Sequence, residues 1–103
     1  MNFKRQIVGL DTSEFIEHRL YYIKFDCSYE GDILHEVEGV YSCFEIIENE
    51  QIVFTNVFAI SPFVPPVLKL ESSSVDLIKQ IELVRACLSF KPTGEREMIF
   101  EKD

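Results

Sequence analysis

No lysine or arginine occurs between residues 25 and 68 of this 103-residue chain. That gap is the most informative of several absences. Tryptophan is missing, and the four glycines are scattered singly, so no glycine-rich loop could cradle a phosphate and no nucleophile elbow exists. The two histidines, His18 and His35, are not spaced for a zinc-protease pattern, and no Ser-His-Asp ordering is present. No apolar run approaches the ~18 residues of a membrane span, so no membrane partner is expected. The opening "MNFKRQIVGLDTSEF" follows its two basic residues with only the short apolar run "IVGL", which does not make a signal peptide. Cytoplasmic residence is the resulting expectation. The three cysteines, Cys27, Cys43 and Cys87, form no C-x-x-C pair. An odd count without an export signal fits reduced thiols packed as small hydrophobes.

What is present is an ordinary globular composition, 47% hydrophobic and 27% charged, with nine Phe and four Tyr to fill one core. That length makes a single domain spanning 1–103. The net charge of −8 is partitioned. Asp26, Glu30, Asp32, Glu36, Glu38, Glu45, Glu48 and Glu50 fall inside the gap, and the ten acids outside it balance the ten basic residues. Such a single-sign field can be a solvated face that keeps the protein soluble. It can equally be complementary to a basic surface, in which case it speeds association and selects the partner. Direct binding to DNA or RNA is disfavoured, because phosphates need Lys and Arg to neutralise them.

Along the chain, "DTSE" at 11–14 has the capping-box form, with Asp11 as N-cap of a short helix over Thr12–His18. "RLYYIKFDCSY" alternates, setting Tyr21, Ile23, Phe25 and Cys27 on one face and Tyr22, Lys24 and Asp26 on the other, which predicts a strand. "YEGD" is a turn. Residues 33–47 carry a helical stripe (Ile33, Val37, Val40, Phe44, Ile47), but "VYSCFEII" is dense in β-formers, and a hairpin with "QIVFTNVF" is preferred. "SPFVPP" is a loop and "VLKL" a short edge strand. Leu77, Ile81, Val84 and Leu88, behind Ser73 or Ser74 as cap and Asp76 in the first turn, predict a long amphipathic helix over about 75–90, ended by Pro92 and Gly94. "REMIF" reads as a last strand. The expected fold is α+β: an antiparallel sheet of about five strands with that helix on one face.

The chemical constellations are incomplete. "DCSYEGDILHEV" matches a calcium loop at Asp26, Ser28, Glu30 and Gly31, but Val37 stands where the bidentate glutamate belongs. "LHEVEG" has Gly39 where a second zinc-binding histidine would be. Glu36 with Glu38, or Glu48 with Glu50, could form an acid/base couple only if other roles were filled, and they are not. His18, with Glu14 and Glu17 beside it, reads as a solvated helix end. The sequence therefore predicts no enzyme, cofactor or metal site.

In size, charge partition and lack of catalytic residues, the whole chain resembles small acidic bacterial immunity proteins. The resemblance implies a cytoplasmic inhibitor whose acidic surface covers the basic, nucleic-acid-binding cleft of a nuclease-type toxin. Charge steers such a complex, whereas buried aromatics hold it. The partner-binding residues it points to are the eight acids together with Tyr29 and Tyr41, the tyrosines within the acid window. The alternative is an adaptor, chaperone or structural subunit that binds through an apolar surface or the "SPFVPP" loop.

Overall fold

The computed structural model describes residues 11–48, 50–85, 88–90 and 96–98. Alternating and β-branched segments pair in sequence. β1 (Leu20–Tyr29), β2 (Asp32–Ile47), β3 (Gln51–Ala59), β4 (Val67–Glu71) and β5 (Ile78–Val84) form an antiparallel sheet in the order β4-β3-β2-β1-β5. The short strands β6 (Leu88–Phe90) and β7 (Arg96–Met98) pair with each other. The first four strands are a meander, and the chain then crosses to the other side of β1.

Turn chemistry sets the register. Glu30 and Gly31 both have positive φ, 51° and 86°, as a two-residue type I′ hairpin requires. They place Tyr29 opposite Asp32 and Ser28 opposite Ile33. One face of the sheet is the core: Ile23 and Phe25 of β1, Tyr41 and Cys43 of β2, and Ile52 and Phe54 of β3 are buried there. Phe15 caps it, its ring edge-on to Tyr21 at 5.5 Å and to Phe54 at 5.9 Å. The loop over 60–66 lies against the same face. A Cβ on Gly39 would stand 3.0 Å from Val64 Cγ1 and 3.2 Å from Tyr41 Cε1, so a larger residue here fits only if those side chains give by a few tenths of an ångström.

The α+β expectation is overturned at residues 75–90. Ser72–Leu77 is a 3-10 turn whose N-cap, Glu71, makes no side-chain capping bond, so neither Ser73 nor Ser74 caps a helix. Ile78–Val84 is strand, with Ile78 and Ile81 both buried in the core. The cause is a register shift where β5 passes Lys24 and Phe25 of β1. An extra residue there brings core residues three apart instead of two, and that spacing imitates one turn of helix. The described residues contain no long helix; the only helical pieces are the 3-10 turns at Ser72–Leu77 and Thr12–Glu14. Thr12–Glu14 is shorter than the helix expected over Thr12–His18. Asp11 caps it as its sequence predicts, accepting the Ser13 N–H at 3.0 Å. Residues 33–47 resolve as strand: β2 runs unbroken through Gly39.

Candidate functional site

The residues put forward as a partner surface separate into three that build the fold and seven at the surface. Asp26 lies at the bulge between β1 and β2 and is largely buried. Its carboxylate accepts the Glu36 N–H at 3.0 Å and meets His35 Nδ1 and Lys79 Nζ, each at 3.2 Å. The Glu36 N–H, then His35 and Lys79, hold its pKa below the usual carboxylate value against the opposing effect of desolvation. Glu36 takes a positive φ of 53° at this bulge. A carboxylate with both oxygens engaged inside a hairpin is not a calcium ligand in waiting.

Glu38 also serves the fold. Its side chain accepts a hydrogen bond from the Tyr22 hydroxyl, and its backbone binds the loop: its N–H donates to Ser61 Oγ at 2.8 Å, and its carbonyl accepts from Ile60 and Ser61. Burial raises the Tyr22 pKa, and Glu38 adds to the shift. Tyr41, expected as an anchor, is 0% exposed. Its hydroxyl donates to the Pro65 carbonyl at 2.8 Å, and desolvation raises its pKa. Tyr41 cannot touch a partner without unfolding the sheet. These three placements take Asp26, Glu38 and Tyr41 out of the expected partner-binding set.

The remaining seven form two groups. At the β1–β2 hairpin tip, Glu30, Asp32 and Glu36 are exposed, and Tyr29 is half-exposed with its ring 4.2 Å from that of Phe63. At the other end of β2, Glu45, Glu48 and Glu50 are exposed around the turn into β3. From Glu36 to Glu45 the strand spans roughly 30 Å at ~3.3 Å per residue. Among the described residues, none of these six carboxylates is in an ion pair; the ion pairs involve Asp26.

The sequence reading missed the apolar residues beside each group: Ile33, 64% exposed, at the tip, and Phe44, 58% exposed, with Ile47 and Val67 at the far end. Phe44 sits at a bulge, where β2 shifts register between Cys43 and Glu45, and only the pairing reveals that. Glu17, read as part of a solvated helix end, accepts the Ile46 N–H at 3.0 Å and so covers the edge of β2 beyond β1. Cys27 and Cys43 are free thiols. Burial pushes the Cys43 thiol up to about 11. Cys87 lies outside the described residues.

Among the described residues no group of three or more His, Cys, Asp or Glu is arranged to hold a metal ion, and no helix is long and apolar enough to cross a membrane. Comparison with protein-family models, curated proteins and solved structures finds no match.

Proposed function

We propose that the protein is a small acidic binding protein that neutralises a basic protein partner, in the manner of an immunity protein covering the active site of a nuclease-type toxin in the cytoplasm. One observation carries this reading: six carboxylates of the acid window stand on the surface without an ion pair among the described residues. Uncompensated charge of this kind is a field that speeds encounter with an opposite charge. It also repels phosphates, which turns the reading away from nucleic acid itself.

The test is association kinetics with the protein captured from the source cell. The on-rate is expected to fall about tenfold or more between low salt and roughly 0.5 M salt, where exposed charges are screened. Charge reversal belongs at Glu30, Asp32 and Glu36 for one end and at Glu45, Glu48 and Glu50 for the other. Glu38 is unsuitable, because its reversal would break the bond to Tyr22. A captured partner that is acidic, or a rate indifferent to both salt and reversal, would move the assignment to an adaptor that binds through apolar contact.

A further inference from the structure

The two acid groups stand at opposite ends of β2, roughly 30 Å apart, and their surroundings differ. At the tip, Tyr29 and Ile33 lie on opposite faces of the hairpin, since Tyr29 pairs with Asp32 and Ile33 with Ser28. Tyr29 is also covered on one side by Phe63. The tip's apolar atoms therefore do not make a single surface.

At the far end they do. On the face of the sheet opposite the core, Glu45, Val53 and Lys69 are successive cross-strand neighbours of β2, β3 and β4. The adjoining row is Ile47, Gln51 and Glu71. Val53 lies diagonally across from Ile47, Phe44 stands next to Glu45 at the bulge, and Val67 stands on the same face two positions along β4 from Lys69. Phe44 and Val67 are exposed at 58% and 47%. Around this strip stand Glu45, Glu48, Glu50 and Glu71, against one cation, Lys69. Exposed apolar residues interleaved with and flanked by charge of mostly one sign can both hold and select a partner of opposite charge. A second copy of this chain would set glutamates against glutamates, an unfavourable juxtaposition.

We infer that the outer face of β2–β4, formed by Phe44, Ile47, Val53 and Val67 and rimmed by Glu45, Glu48, Glu50 and Glu71, is the docking surface. Its occupant is a basic protein segment that presents an apolar row flanked by Lys or Arg. The inference rests on the reading of the chain as a binder of a basic partner and fixes where on the chain that partner sits.

The experiment titrates the ¹⁵N-labelled full chain with two synthetic peptides, an acetylated Lys-Leu alternating hexapeptide and a Lys-Ser hexapeptide of equal charge, at about 0.15 M salt. The Lys-Leu peptide is expected to shift the amides of 42–47, 51–55 and 67–71. It should bind about tenfold or more tighter than the Lys-Ser peptide, the scale of one apolar anchor. Phe44→Ser should abolish that advantage, whereas Glu45→Lys with Glu48→Lys should weaken both peptides. Glu30→Lys with Asp32→Lys should change neither. Phe44 is exposed, so an unchanged melting temperature would show that its variant is folded. Shifts confined to 28–36, or equal binding of the two peptides, would overturn the location while keeping the basic-partner reading. Binding of neither peptide would sink both. A concentration-dependent dimer abolished by Phe44→Ser would overturn the occupant in favour of a second copy.

Discussion

Removing the Tyr41 hydroxyl tests whether the loop over 60–66 is fastened to the sheet. Tyr41 is fully buried, and its hydroxyl reaches the Pro65 carbonyl at 2.8 Å. Nearby, Asn56 N–H donates to the Pro66 carbonyl at 2.9 Å, and Asn56 Nδ2 to the carbonyls of Val40 and Phe58, each at 3.1 Å. In Tyr41→Phe the ring still fills its place, so no cavity opens. The loss is one hydrogen bond, worth about 1 kcal/mol net, with a further contribution from a carbonyl left without that donor. A total of about 1–2 kcal/mol corresponds to a fall of roughly 5–12 °C in melting temperature for a domain of this size. In urea the midpoint should drop with an unchanged slope, because the same surface is exposed on unfolding. Affinity for the basic partner should not change. An unaltered midpoint would refute the argument that this bond holds the loop, and a lost affinity with an unaltered midpoint would put Tyr41 in the interface after all.

Three other measurements bear on the same architecture. Gly39→Ala drives a Cβ to 3.0 Å from Val64 Cγ1 and 3.3 Å from Asn56 Nδ2 and should cost about 1–3 kcal/mol by overpacking, read as a lower urea midpoint. Asp26 has a depressed carboxylate pKa in the fold, so the stability it contributes is present above its unfolded value of ~3.9 and is lost as pH falls through the lower folded value. Urea midpoints at pH 5, 4 and 3 should therefore decline less steeply in Asp26→Asn than in the parent; parallel curves would count against the cluster with His35 and Lys79. Cys43, buried and with its thiol pushed up to about 11, should resist iodoacetamide at about pH 8 in the native protein and react once unfolded, as peptide mapping would show.

Where alternating aromatic and β-branched residues are bounded by turn residues, the sequence displays the strand directly. The alternation from Tyr21 to Cys27, the "YEGD" turn and the pairing of "VYSCFEII" with "QIVFTNVF" all appear in the structure. The edge position of "VLKL" does too. The failure at 75–90 has a local physical cause. A bulge opposite Lys24 and Phe25 shifts the phase of β5, and periodicity alone cannot tell a phase-shifted strand from the start of a helix. The β-branched content of "IKQIELV" favours strand, but an apolar spacing of three and four residues masks it. Tertiary pairing with β1 decides the outcome.

The acid window shows why charge in sequence is a poor guide to charge in space. Eight carboxylates without a basic neighbour look like one patch because the chain is one-dimensional. β2 is sixteen residues long, which carries Glu36 and Glu45 to different parts of the sheet. Lys79, fifty-three positions along the chain from Asp26, returns through β5 to neutralise it. Glu38 is drawn onto Tyr22, and Tyr41 is spent on the core. What survives is narrower than the sequence reading and chemically better defined. Among the described residues, it is at the far end of β2 that unpaired carboxylates share a face with several exposed apolar side chains, because a bulge leaves Phe44 out of the core beside Glu45. Charge alone would give a fast but weak encounter. Apolar area alone would bind without discriminating by charge. Their coincidence on one side of β2–β4 is the reason the proposed surface would both attract a basic partner and retain it.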